Sequence, residues 1–256
     1  MHWTEKNGLK LGGFASLGIL APELALVFCS RAGGFSEPPF DSLNLGEGIG
    51  DDPEAVRLNR AKLLDSIGFP PESVARGRQV HGTRIETVDS GGLCDGTDGL
   101  ITTRRGLALA ISTADCYPVF IYSPTEKVLA ALHVGRNGAK AGIIGKAFGI
   151  LYGTHHIDPY TAIAVAGPGI CGDCYTVSGG DAAGFPPETI RTEDGAHRLD
   201  LLRFCELELL KAGVRRENIK SAGLCTSCSA DLCFSYRRDG GRTGRHWTIA
   251  AIGPSP

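Results

Sequence analysis

His81, Cys116 and His133 are the residues of this chain whose types could do chemistry together. They sit in the segments RQVHGT, TADCYP and LHVGRNG, each at a junction of strand-like and turn-like patterns. Two neutral imidazoles and a thiolate are donors that zinc prefers. Three protein ligands leave one tetrahedral position open for water or substrate, which is the catalytic rather than the structural form of a zinc site. The same side chains allow a metal-free alternative, with Cys116 as a thiolate nucleophile and His133 as its base. Asp115, beside the cysteine, either orients a histidine or acts as acid or base, or else is a strand-end residue capping a turn.

The elements that must position these residues can be read from the pattern. Residues 107–113, 117–123 and 128–134 are three consecutive apolar runs, with SPTEK as a turn between the last two. Cys116 falls between the first two and His133 near the end of the third. Strand pairing can therefore bring them together, although they lie 17 positions apart. Residues 25–30 and 161–166 read as further strands, and 249–252 lie in a short terminal one. A helix should start at Asp51-Asp52-Pro53, through an acidic N-cap and Pro in the first turn, and stop at Gly68. A second is expected over 139–152. Leu199, Leu202, Leu209 and Leu210 mark a third. Strands in runs with helices between them favour α+β over a regular doubly wound sheet.

Composition narrows the class. Lys and Arg total 26 against 28 Asp and Glu, so no net basic field points to nucleic acid. No apolar run approaches the roughly 20 residues that span a bilayer. The N-terminal stretch MHWTEKNGLK lacks the apolar segment of a secretory signal. Nine cysteines in 256 residues read as mostly reduced thiols of a cytoplasmic protein. Cys171-X-X-Cys174 and Cys225-X-X-Cys228 have the spacing of a structural zinc site. The 50 residues between the pairs exceed the usual ribbon spacing, so buried thiols or an incidental disulfide is the expectation for them.

The motifs resemble those of the YfiH-type proteins, catalogued as laccase-domain or multicopper polyphenol oxidase proteins and described as purine nucleoside-processing enzymes. The resemblance runs through CSRAGGFSEPPFDSLNLG, GDDPEAVRLNR, QVHG, TDGLIT, ADCYP, GPGICGDCYTV and FSYRRDGGRTGR, in order and over nearly the whole chain. It implies one domain over residues 1–256, of α/β/β/α type, with mixed sheets and helices outside. It implies a shared metal at His81, Cys116 and His133, with Asp115, Cys116 and His133 catalytic. Substrate would be held by Arg31, Asn44, Gln79, Arg136, Arg237 and Arg238, with Arg31 and the SYRR arginines on phosphate. One departure stands out: the family form has Trp then Arg between the glycines of HVGRNG, where this chain has Arg136 and Asn137.

The expected activity is zinc-dependent phosphorolysis of adenosine, inosine or methylthioadenosine, with adenosine deamination at the same site. The partners are then a purine nucleoside and phosphate, with neither nucleic acid nor membrane, and a monomer is favoured. A conventional laccase is not expected. Seven histidines with no His-X-His pair, and a single Met at position 1, cannot build four copper sites. Copper could still occupy the His/Cys site adventitiously. The rivals are a Cys/His hydrolase acting on a cell-wall precursor amide, akin to deamidase-toxin folds, and a zinc-bound interaction protein.

Overall fold

Three apolar clusters set the architecture of the computed structural model, which describes residues 1–14 and 17–253. The first sheet runs β1 (His2–Lys6), β2 (Leu9–Gly13), β3 (Leu24–Cys29), β16 (His246–Ile252), β8 (Ala108–Thr113), β4 (Val74–Arg78) and β6 (Gly92–Asp95). The second runs β15 (Ile219–Ser221), β11 (Ile163–Ala166), β9 (Tyr117–Ser123), β10 (Val128–Val134), β7 (Gly99–Thr102) and β5 (Ile85–Thr87). Both are mixed. β4 runs parallel to β6 and β8, β5 to β7, and β11 to β15, while the remaining pairs are antiparallel. A small third sheet joins β12 (Thr176–Val177), β14 (Ala196–Leu199) and β13 (Ile190–Glu193).

Side chains alternate across each strand, so the two faces of one run enter different cores. In β9, Phe120 and Tyr122 point between the sheets, while Val119 and Ile121 face the helices α4 (Ile143–His155) and α6 (Leu201–Lys211). In β8, Leu109 and Ile111 meet them from the first sheet, and Ala108 and Ala110 face outward to α2 (Pro53–Ile67). The result is helix, sheet, sheet, helix: the α+β, α/β/β/α arrangement. Strands buried on both faces read as continuous apolar runs, which is why the central ones are legible in sequence and their order is not.

Most element expectations hold, with small shifts. Asp52 is the N-cap of α2, accepting from the Glu54 N–H, and Gly68 closes it with φ 76°. The helix expected over 139–152 is two: α3 (Arg136–Lys140) and α4, broken at Gly142, whose φ of 80° is left-handed. Leu199 ends β14 instead of opening a helix, because Asp200 caps α6 after it. The short helices α1 (Leu17–Leu20) and α5 (Gly179–Ala182) each add a buried residue to the core clusters, Leu17 and Ala182. No helix among the described residues is long and apolar enough to cross a membrane.

Phe120 is 1% exposed between the sheets, whereas Tyr152 on α4 is 68% exposed. Phe120→Ala should lower unfolding free energy by about 3–5 kcal/mol and Tyr152→Ala by less than about 0.5 kcal/mol. Urea denaturation of both variants checks this.

Candidate metal centre and active site

The antiparallel hairpin of β9 and β10 pairs His133 with Pro118 and Val134 with Tyr117. Cys116, one residue before Tyr117, is thereby set against the end of β10. His81 comes from the other sheet, in the turn that follows β4. The ligand atoms of His81, Cys116 and His133 all lie within 4.8 Å of one another. The two imidazoles meet edge to face, with centroids 4.8 Å apart. Gly135 makes room for this. A Cβ there would stand 2.8 Å from the Cys116 sulfur and 3.0 Å from the His81 ring.

Two backbone turns aim these side chains. His81 has φ 60° and Asp115 has φ 99°, both in the left-handed region that non-glycine residues enter at a cost of about 1–3 kcal/mol. Each is held by a carboxylate. Asp98, fully buried, accepts the N–H groups of Val80, His81 and Gly82 at 3.1, 2.9 and 2.8 Å. It also contacts Nδ1 of His133 at 2.8 Å, while its own carbonyl accepts the His133 N–H. That pairing leaves Nε2 as the nitrogen available to a metal or to the thiol. Asp115 accepts the Thr226 hydroxyl and the Arg237 N–H, each at 2.7 Å. Asp115 therefore does not orient a histidine. Both its oxygens fix neighbouring loops, and Asp98, in the TDGLIT segment, orients His133 instead.

The electrostatics follow from burial and pairing. Burial pushes the Cys116 thiol up, but the charge and hydrogen bond of His133, with a hydrogen bond from His81, outweigh it and bring it down to about 6. Burial pushes His133 down, yet the Cys116 thiolate and the hydrogen bond to Asp98 lift it to about 9. Asp98 is disfavoured as an anion by burial, but the His133 contact and the Gly82 N–H hold it below the usual carboxylate range. These opposed shifts favour a Cys116 thiolate beside a His133 imidazolium, with the Asp98 carboxylate on the far ring nitrogen.

The cluster opens into a cavity of about 720 Å³ lined by both sheets. Arginines on its wall differ in what they already hold. Arg60 and Arg76 share Glu47, Arg78 pairs with Asp95, and Arg136 pairs with Asp181 at 2.7 Å. Arg237 and Arg245 have no ion pair among the described residues. Arg237 stacks over Tyr175 and reaches the Thr176 carbonyl, and Arg245 lies over Tyr236 and donates to the Thr243 and Gly244 carbonyls.

Several expected substrate residues have other duties. Arg31 lies outside the cavity lining, paired with Asp41 and stacked on Phe234 at 4.8 Å. Arg238, also outside it, is consumed by Asp239 and by the carbonyls of Thr226, Ser227 and Cys233. Neither is placed to hold phosphate in the cavity, because their donors tie loops together. Asn44 is fully buried and braces the backbone of Gly46 and Arg245. Gln79 lines the cavity but pairs both ways with the Ser112 backbone, as a strand neighbour would. Arg136 begins α3, so the helix starts three residues before the expected Ala139. Arg245 was visible only as the last residue of the RTGR run, and no spacing distinguished it.

Residues 25–253 match the family model described as multi-copper polyphenol oxidoreductase laccase, and the chain belongs to that family. It is 39% identical over 227 residues to a purine nucleoside phosphorylase of Corynebacterium glutamicum, covering 86% of this chain and 90% of that one. It is 36% identical over 242 residues to the purine nucleoside phosphorylase YlmD of Geobacillus stearothermophilus, covering 88% of each. The crystal structure of YlmD from Geobacillus stearothermophilus superposes with a TM-score of 0.91 at 32% identity over 98% of both chains. That of the Bacillus licheniformis protein YfiH gives 0.90 at 30% identity, again over 98% of both.

Asp98→Asn removes the charge that orders both the His81 turn and the His133 ring. It should weaken zinc binding about 10- to 100-fold while the sheets stay folded. Competition with a chromophoric chelator measures it.

The affinity should also depend on pH. Metal needs the thiolate of Cys116 and a free Nε2 on His133. Between about 6 and about 9 Cys116 and His133 together carry one proton to shed, and below about 6 they carry two. Metal must displace these protons, so affinity falls with decreasing pH and falls more steeply below about 6. A pH series of zinc titrations tests the change of slope.

Proposed function

We propose that the chain is a zinc-dependent purine nucleoside phosphorylase that also deaminates adenosine at the same site. The observation that carries this reading is a two-imidazole, one-thiolate cluster at an arginine- and tyrosine-lined cavity, in a chain 39% identical to a named purine nucleoside phosphorylase. The donor set suits zinc in its open, catalytic form: two nitrogens, one sulfur and an exposed side at His81. Bound there, zinc would supply Lewis-acid polarisation of a substrate oxygen or of water. The same residues do not suit a multicopper centre, because the other donor group among the described residues is four cysteines without a histidine.

The chain's own groups divide the remaining work. Arg237 and Arg245 are the cavity cations with fork donors left for an anion, so they hold phosphate against the ribose. Tyr175 and Tyr236 line the cavity and offer aromatic surface to a purine. Asp98 keeps His133 in one tautomer and Asp115 keeps Arg237 in place. Phosphate attacks C1′, the bond from C1′ to the base nitrogen breaks, and a proton reaches the base as it leaves. Deamination instead adds water at C6 of the adenine ring; the bond from C6 to the amino nitrogen then breaks, that nitrogen takes up a proton and leaves as ammonia, and the bond to the ribose stays intact.

Purified protein given inosine or adenosine and phosphate should yield free base and ribose 1-phosphate. Chelation should abolish this, zinc should restore it, and Cys116→Ala should lose it. Full turnover by metal-free protein would sink the proposal. One specific observation supports a second reading: Asp98, His133 and Cys116 line up as acid, base and thiol, as in a cysteine hydrolase. Amide hydrolysis that appears on chelation and vanishes on alkylation of Cys116 would favour it.

Arg237→Ala and Arg245→Ala should each raise the Michaelis constant for phosphate roughly ten- to a hundredfold, the worth of a charge-assisted bond of about 1.5–3 kcal/mol. Adenosine deamination should change little, and Lys should rescue only in part. Arg31→Ala should leave the phosphate constant unchanged. Equal loss of both activities in Arg237→Ala and Arg245→Ala would remove the phosphate assignment.

A further inference from the structure

Cys171, Cys174, Cys225 and Cys228 lie apart from the His81 cluster, and the function above leaves them unused. We propose that they form a structural zinc site that clips together two loops behind the cavity wall. The sequence separates the two pairs by 50 residues, but the fold cancels that distance. Gly169 forms a parallel bridge with Cys225, and the Thr226 N–H donates to the Gly169 carbonyl at 3.1 Å. Both Cys-X-X-Cys turns therefore leave the same end of the β11 side of the second sheet.

The four sulfurs all lie within 4.8 Å of one another. A tetrahedral zinc with sulfurs at about 2.3 Å places them about 3.8 Å apart; the Cys174 and Cys228 sulfurs, 3.4 Å apart, need only a slight widening to fit it, and the four stay within reach of one ion. The arrangement is one cluster of four and not two separate pairs. A second observation concerns charge. The Cys225 sulfur accepts the Cys171 N–H at 3.3 Å and the Cys228 N–H at 3.5 Å. Two backbone donors converging on one sulfur suit a thiolate, since hydrogen bonds to an ionised acceptor are the stronger kind. A disulfide sulfur is a poor acceptor and would leave both donors weakly satisfied. The expectation for these cysteines was buried thiols or an incidental disulfide, and their exposure differs from the first of these. Three of the four are half-buried and Cys228 is exposed, so a metal can reach them.

What the clip would hold is specific. Cys174 precedes Tyr175, which lines the cavity and carries the stacked Arg237. Cys225 precedes Thr226, whose hydroxyl holds Asp115, and the Ile170 N–H beside Cys171 donates to the Asp115 carbonyl. Binding energy spent on the four thiolates is thus transmitted as rigidity to one wall of the site.

The test is metal stoichiometry on protein purified under reducing conditions. Wild type should carry two zinc per chain. Cys228→Ser and Cys174→Ser should each carry one, and His81→Ala should carry one that Cys228→Ser then removes in the double variant. Cobalt substitution of His81→Ala should give the intense thiolate-to-metal absorption of an all-sulfur tetrahedron, lost in the double variant. In His81→Ala, a strong chelator should also lower the urea midpoint. Because this readout uses His81→Ala, it stands whether or not the catalytic zinc exists. A metal-free His81→Ala chain overturns the proposal. So do rapid thiol-reagent labelling of all four cysteines in metal-loaded protein and recovery of disulfide-linked peptides from them.

Discussion

Asp98 is fully buried, and an isolated carboxylate taken out of water costs several kcal/mol. Here it is met by three backbone N–H groups from the His81 turn and by the ring of His133. Those donors repay the desolvation, and in doing so they fix the two features the site needs. The left-handed turn at His81 exists because its N–H groups have an anion to converge on. The His133 tautomer exists because Nδ1 has an acceptor. Remove the charge and both lose their reason, which is why one aspartate outside the ligand set governs the geometry of the ligands.

The same logic sorts the arginines. A guanidinium already paired with a carboxylate and several carbonyls, as Arg238 is, has no fork left for a ligand. Arg31 is spent in the same way on Asp41 and on a turn carbonyl. Arg237 and Arg245 touch carbonyls and tyrosine rings instead, and neither is held in an ion pair among the described residues. Motif membership alone could not separate these groups, because the distinction lies in partners that are distant in sequence.

That difference shows where sequence reading succeeds. Cys116 and His133 were readable as neighbours because a short hairpin brings them together through local pairing. The caps of α2 were readable because Asp52, Pro53 and Gly68 act within a few residues of where they stand. Asp98 was missed as a functional residue because its role depends on β7 lying beside β10, a pairing between separate runs. Asp115 carried a histidine-orienting, an acid–base and a turn-capping reading; its carboxylate oxygens accept from Thr226 and Arg237 and from no histidine among the described residues, contacts that lie far off in sequence. The break at Gly142 was hidden because the apolar pattern of 139–152 continues across it. The convergence of the two Cys-X-X-Cys turns rests on a single bridge between Gly169 and Cys225, which no spacing rule anticipates.

The donor cluster draws on both sheets. His81 lies just beyond the end of a strand in the first, His133 is the last residue but one of a strand in the second, and Cys116 sits where the chain crosses between them. Its internal distances therefore record how the sheets are seated on one another, as a vernier records the offset of two scales. Interlocked side chains such as Phe120, Tyr122, Leu109 and Ile111 forbid sliding only as long as they fit. A slip of one ångström in that interlayer, far too little to melt the protein, is a large fraction of a metal–ligand bond. Chemistry at the rim is then more fragile than the fold, and interior substitutions that leave the chain intact can still silence it.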